Sequence, residues 1–215
     1  MPKAIVWDCD GVLVDSERIN NEVFAALVTR AGVPTTYAQS VARYMGRSTA
    51  ECVADVEERL GRPTGFDLAA EYHRTVRERH HTDLVAVPGA RDLLDRLRER
   101  GTPVCVASSG TPEEIAHRLA LTGLAGYFGD RVYSASMVAR GKPAPDLFLY
   151  AAARLGVEPT DCVLVEDSPF GVRGGRAAGM TVVGYAALAD AAVLRDAGAD
   201  PVVADLADAA PALGL

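Results

Sequence analysis

Short apolar runs separated by amphipathic stretches set the plan of this chain. Ala4 to Cys9 (AIVWDC) is apolar until it ends in acids, the pattern of a buried parallel strand whose carboxyl end meets a site. Four later runs look alike: Pro103 to Ser108, Arg131 to Ser134, Cys162 to Glu166 and Thr181 to Tyr185. A final short strand is expected at Pro201 to Ala204, after an Ala-rich stretch from about Ala186 that reads as helix. Helical patterns lie between these runs. Gly89 to Arg100 puts Leu93, Leu94 and Leu97 on one face and loads its last turn with Arg96, Arg98 and Arg100 before a stop at Gly101. Thr111-Pro112-Glu113-Glu114 is a capping box with proline at the first helical position, opening a helix to about Leu121. Pro145 to Leu155 ends at Gly156, and Ser168-Pro169 opens a helix whose Gly171, Gly174 and Gly175 let it lie close against a neighbour. Strand and helix alternate throughout, which predicts an α/β fold with a doubly wound parallel sheet and right-handed crossovers.

The alternation is interrupted once. From about Ser16 to Thr82 no strand pattern occurs, and amphipathic stretches appear at Ile19 to Arg30, Thr49 to Leu60 and Asp67 to His80. A crossover of that length exceeds what one βαβ unit requires, so residues 16–82 are read as an inserted helical domain and residues 1–15 with 83–215 as the α/β core.

Composition narrows the partners. The chain has 215 residues, with Asp+Glu 29 against Lys+Arg 22 and a net charge of −7, and its isoelectric point is near 5.1. An acidic surface of this kind argues against nonspecific binding to nucleic acid or an anionic membrane. No apolar run approaches the ~18 residues of a spanning helix, and no signal-peptide pattern follows Met1-Pro2-Lys3, so the expected compartment is the cytoplasm. A monomer or weak dimer is expected. Cys9, Cys52, Cys105 and Cys162 lack metal-ligand spacing and read as buried thiols. His73, His80, His81 and His117 fall on predicted helices without matching acids or cysteines and read as structural or solvated. Only Lys3 and Lys142 among the basic residues are lysines. In a chain that otherwise writes arginine, a lysine inside a motif suggests a place for a compact ammonium.

Acids at strand ends are the first candidates for chemistry. Asp8 and Asp10 close the first strand, and period-two alternation puts them on one side with Cys9 facing away. Two such carboxylates repel unless a cation sits between them or one carries a proton. Glu166-Asp167 closes another apolar strand and faces the same crevice in a parallel sheet. One strand-end pair is ordinarily a helix cap or a solvated turn; two pairs ending two buried strands point to a site. Ser108-Ser109-Gly110-Thr111 offers hydroxyls, backbone N–H groups and a helix amino terminus, which together hold a phosphate dianion. Thr111 serves as the cap, leaving Ser108 for other work. Arg140-Gly141-Lys142-Pro143-Ala144-Pro145 is not a P-loop, since no Ser or Thr follows the Gly-Lys, but its prolines hold the backbone extended and present the lysine in a fixed direction.

In order along the chain, Asp8-Cys9-Asp10-Gly11-Val12-Leu13-Val14-Asp15-Ser16-Glu17, Ser108, Gly141-Lys142-Pro143-Ala144-Pro145-Asp146 and Glu166-Asp167-Ser168 with Gly171-Val172 resemble the four motifs of the haloacid dehalogenase superfamily. The resemblance is to its phosphatase and β-phosphoglucomutase branch, with a helical cap inserted after the first motif. It implies a Rossmann-like core, Asp8 as nucleophile, and Asp10 as the acid that protonates the leaving oxygen and then activates water. It further implies that Ser108 and Lys142, with Ser109 and Gly110, hold the phosphoryl group, and that Mg²⁺ is bound by Asp8, the Asp10 carbonyl and Asp167, with Glu166 close by. The implied substrate is a small phosphorylated metabolite such as a sugar phosphate. Sugar phosphomutases of this branch carry a cap histidine shortly after the first motif and a cap arginine for the distal phosphate. Here Asn20 takes the first place, and Gly46-Arg47-Ser48 followed by Thr49 offers Arg47 only from a neighbouring position. That departure favours a phosphatase over a mutase, with Asn20, Arg47 and Thr49 on the substrate side. A dehalogenase, which needs no metal, or an inactive regulatory homologue would leave the set of acids without a purpose.

Overall fold

The computed structural model describes residues 1–45 and 47–215. The chain divides into two compact units, one of Met1–Asp15 with Val85–Leu215 and one of Ser16–Leu84.

The first unit is an α/β sheet. Its strands are β1 (Ala4–Trp7), β2 (Val104–Ser108), β3 (Val132–Ser134), β4 (Cys162–Glu166), β5 (Thr181–Tyr185) and β6 (Val202–Val203). They are all parallel, in the order β3-β2-β1-β4-β5-β6. The chain winds outward from β1 in one direction through β2 and β3, and in the other through β4, β5 and β6. The order therefore reverses between β1 and β4, and the crevice beyond their carboxyl ends is where a doubly wound sheet binds its ligand. Ala4 and Val6 pack into a buried cluster with Cys105, Leu147, Phe148 and Leu164. Ile5 and Trp7, alternating with them, are also fully buried, so the strand is covered on both faces, as an unbroken apolar run requires.

The sequence places some strand edges one or two residues too far out. β1 stops at Trp7 because Leu13 N and Val14 N both bond the Cys9 carbonyl, at 2.9 and 3.1 Å, and pull the chain into a turn. Alternation along the strand consequently does not govern Asp8 to Asp10. Pro103 has no N–H to give a ladder, and β2 begins at Val104. Likewise β3 begins at Val132 rather than Arg131, and β6 is confined to Val202–Val203 within the expected Pro201 to Ala204.

The second unit holds α1 (Ser16–Ala31), α2 (Tyr37–Tyr44), α3 (Thr49–Leu60) and α4 (Leu68–Asp83). Thr36 with Gln39, and Ser48 with Glu51, form capping boxes that open α2 and α3. Phe24 meets the rings of Tyr44 and Tyr72 edge-on, with centroids 4.8 and 5.5 Å apart. Among the described residues no helix is long and apolar enough to cross a membrane. The remaining helices belong to the α/β unit: α5 (Ala90–Glu99), α6 (Pro112–Leu121), α7 (Ala125–Phe128), α8 (Asp146–Leu155), α9 (Pro169–Ala177) and α10 (Ala191–Asp196).

Candidate active site

β1 and β4 are neighbours with Trp7 opposite Val165, and Asp8 N continues the ladder to the Val165 carbonyl at 3.0 Å. That register sets Asp8 beside Glu166, both buried at 6% and 0% exposed. Two buried carboxylates demand a cation, and Lys142 supplies it. Its Nζ donates to Asp8 Oδ1 at 2.5 Å and to Glu166 Oε1 at 2.6 Å, and it lies 5.5 Å from the centre of the Phe148 ring. An ammonium, with three donors on a compact head, suits this narrow place between two acids better than a planar guanidinium. Burial works against its charge, but Asp8 and Glu166 outweigh it and hold the Lys142 pKa above the usual lysine value. Two carboxylates share one ammonium, and Asp8 shows the strain. Burial pushes its pKa up to about 7, Lys142 opposes that, and Glu166 and Asp10 add to it.

Glu166 is held rigidly. Its Oε2 accepts from Ser168 N at 2.6 Å, and α9, capped by the Ser168 hydroxyl, brings Gly171 directly against the carboxylate. A Cβ on Gly171 would lie 1.7 Å from Glu166 Oε1 and 2.0 Å from its Cδ, distances that no side chain can share. Gly171→Ala is therefore expected to lower stability by about 1–3 kcal/mol, although alanine is intrinsically the better helix former by ~1 kcal/mol. A urea midpoint equal to or above that of the parent protein would show that the contact does not constrain Glu166.

The phosphate-type turn follows β2, the other neighbour of β1. Ser108 is 1% exposed and its Oγ accepts from Gly110 N at 3.2 Å. Thr111 caps α6 in a capping box with Glu114. Ser134, at the end of β3, donates to the Gly110 carbonyl at 2.6 Å and braces the turn from the next strand; as a lone serine in a short run it gave no signal in the sequence. Arg118 is the second missed residue. Its Nη1 meets Asp10 Oδ2 at 2.8 Å, so Asp8 and Asp10 are paired with different cations.

The structure thus brings Asp8, Lys142 and Glu166 into contact, with Asp167 next along the chain and Ser108, Ser109, Gly110 and Asp10 on the adjacent strand end and loop. Cys9, between the two acids, is not a rival nucleophile, since burial, with the charges of Asp10 and Asp8, pushes its thiol well up. The helical-unit residues lie elsewhere in the chain. Asn20 Nδ2 donates to Glu17 at 3.3 Å. Arg47 reaches the carbonyls of Arg43 and Glu51 at 3.4 and 3.3 Å and Asp55 at 3.6 Å, and Thr49 is the first residue of α3. Gly46 lies outside the described residues.

Similarity to known proteins follows the same lines. The chain matches the haloacid dehalogenase-like hydrolase family over residues 2–179. It is 34% identical to the validoxylamine A 7'-phosphate phosphatase of Streptomyces hygroscopicus subsp. limoneus, across 97% of this chain and 96% of that one. A conserved haloacid dehalogenase-like protein from Agrobacterium tumefaciens str. C58 superposes with a TM-score of 0.91 at 35% identity, covering 100% of this chain and 98% of that one. A HAD family hydrolase from Deinococcus radiodurans R1, solved with bound phosphate and sodium, superposes with a TM-score of 0.89 at 29% identity, covering 99% and 95%. With the matched region running from before β1 through α9, and so over every element that ends at the site, the chain belongs to the haloacid dehalogenase-like hydrolase family.

Proposed function

We propose that the protein is a phosphatase that hydrolyses a small phosphorylated metabolite, such as a sugar phosphate, through a phosphoryl group carried on Asp8. The observation that carries this reading is the buried Asp8 carboxylate held by Lys142 beside a serine-lined helix amino terminus. Nucleophile, cation and anion-binding turn stand together at the switch point of the sheet. The relatives support it: one is named for a phosphatase activity and another was solved with phosphate bound.

In the first step an Asp8 oxygen bonds to phosphorus, the bond from phosphorus to the ester oxygen breaks, and Asp10 gives that oxygen its proton. In the second, Asp10 takes a proton from water as the water oxygen bonds to phosphorus and the Asp8–phosphorus bond breaks, releasing phosphate. Lys142, Ser108 and the N–H group of Ser109 hold the phosphoryl oxygens, where fixed donors act on charge as it develops, and the Gly110 N–H joins them on exchanging its bond to Ser108 Oγ.

The donors at this place suit a hard cation. Asp8, Asp167 and the Asp10 carbonyl, with Glu166 close by, offer oxygen only. Oxygen donors of this kind, completed by waters, suit Mg²⁺. When bound, Mg²⁺ supplies positive charge against the phosphoryl oxygens. Phosphate release is accordingly expected from a panel of sugar phosphates, nucleotides and glycolate-type phosphates with Mg²⁺ present, and loss of release with a chelator. Mg²⁺ should also raise the melting temperature of the protein. Full turnover after exhaustive chelation would overturn the metal assignment. Interconversion of sugar 1- and 6-phosphates without net phosphate release would replace the phosphatase by a mutase.

Substrate choice is assigned to Asn20, Arg47 and Thr49 of the helical unit. Support comes from charge: Arg43 holds Asp55 with two bonds of 2.7 and 2.8 Å, and Arg47 approaches the same carboxylate at 3.6 Å, so two guanidiniums face one acid. Arg47→Ala is expected to lower kcat/KM for a phosphorylated sugar by about ten- to a hundredfold, the loss of one charge-assisted contact, with p-nitrophenyl phosphate turnover nearly unchanged. Equal losses on both substrates would assign Arg47 to folding or catalysis.

A further inference from the structure

Arg118 belongs to none of the motifs, yet it reaches the centre of the site. α6 is anchored by Ile115 and Leu119, at 0% and 1% exposed, and Arg118 leaves the helix at the edge of that buried stripe, three residues after one anchor and one before the other. Its side chain is 15% exposed, and the ion pair with Asp10 joins positions 108 residues apart. The turn after β2 makes room for it. A Cβ on Gly110 would stand 3.2 Å from Arg118 Nη1, a tight contact, so the guanidinium borders both the phosphate-type turn and the loop after β1.

We propose that Arg118 is a positioning residue, whose guanidinium sets the orientation of the Asp10 carboxylate against the reacting phosphoryl group. The proposal rests on the phosphatase reading, in which Asp10 moves a proton in both steps. Asp10 sits in the turn after β1, its backbone held by a bridge to Val14, while its side chain is 24% exposed, so the backbone does not by itself set the direction of the carboxylate. A charge-assisted bond of 2.8 Å to an arm anchored on α6 closes that freedom. Proton transfer is sensitive to such placement, and an error of about 1 Å can cost on the order of a hundredfold in rate. A residue that merely stapled α6 to the first loop would affect stability and leave kcat alone, whereas one that gripped substrate would act on KM.

The test uses the full chain with Mg²⁺ and p-nitrophenyl phosphate, following the first turnover and the steady state. The variants are Arg118→Ala, Arg118→Met, Asp10→Asn and the double variant Arg118→Ala with Asp10→Asn. The expected result is a fall in kcat of about ten- to a hundredfold for Arg118→Ala, with KM within about threefold and partial recovery on adding guanidinium ion. The double variant should be no slower than Asp10→Asn alone, because Arg118 acts through Asp10. Arg118→Met keeps the aliphatic stem and should show the same loss, which decides the matter if the alanine variant does not fold. Unchanged kcat, a change confined to KM, or a full further loss on the Asp10→Asn background would each overturn the proposal. Turnover by the parent protein with normal kcat in Arg118→Ala removes only this assignment; a parent protein that releases no phosphate removes the phosphatase reading and the role of Arg118 with it.

Discussion

Asp8→Asn is expected to abolish phosphate release while leaving the fold at least as stable as before. An amide cannot attack phosphorus, and removal of a hydrolase nucleophile can cost about 10⁶-fold in kcat. The stability side follows from the environment. Asp8 is buried, its pKa is pushed up to about 7, and ionising it works against the fold. Asparagine keeps the shape without the charge, and Lys142 retains Glu166 at 2.6 Å. An inactive protein whose thermal midpoint matches or exceeds the parent's would show that the acid is kept for chemistry at the expense of stability. Activity above a trace, with contamination excluded, would move the nucleophile elsewhere.

Lys142→Met should be the most disruptive single change to the site. It leaves Asp8 and Glu166 side by side without their shared ammonium, and breaking a buried ion pair in this way typically costs about 3–5 kcal/mol. Turnover should vanish as well, since the phosphoryl group loses its fixed cation. The pH dependence has a definite sign. Asp8 holds its proton in the folded chain up to about pH 7, above the value of 3.8 usual for an aspartic acid. At Asp8 the folded state therefore binds more proton than the unfolded state between those limits, and the contribution of this group to metal-free stability falls as pH rises through them. In Lys142→Met the Asp8 value moves higher still, so the variant should recover part of its stability on going from pH 8 to pH 5. Equal urea midpoints for the variant and the parent protein at pH 8 would contradict the structural role of the ammonium.

The strands and the residues at their ends are legible in the sequence because both depend on local pattern, whereas the order of the strands in the sheet is not written locally. An apolar run of five residues ending in Glu166 describes β4 completely. Helices α2 and α7 escape the hydrophobic pattern, for different reasons. α7 has four residues, too few for any periodicity, whereas α2 is announced only by its capping box, Thr36 with Gln39. The pairing of charges was less legible still. The scarcity of lysine singled out Lys142, but nothing local shows that it lies between Asp8 and Glu166, 134 and 24 residues away. Arg118 sits in a helix that looks solvated on that face, and only the fold reveals Asp10 beside it. Where side chains meet across the sheet, spacing in sequence carries no distance.

The place where the helical unit leaves and rejoins the sheet domain is itself stitched together. Asp15 N bonds the Val85 carbonyl at 3.0 Å, Val87 N bonds the Leu13 carbonyl at 2.9 Å, and Val14 bridges Ala86 antiparallel. The two connecting segments form a short ribbon whose ends already meet, so the α/β unit closes its own backbone whatever runs between Asp15 and Val85. Joining ends that are already adjacent costs little loop entropy, and that cost grows only slowly with the length inserted. The ribbon is in this sense a socket. The helical segment of a relative, grafted between Asp15 and Val85, should leave Asp8, Lys142 and Glu166 undisturbed, which makes chimaeras a direct test of whether the inserted helices choose the phosphate ester.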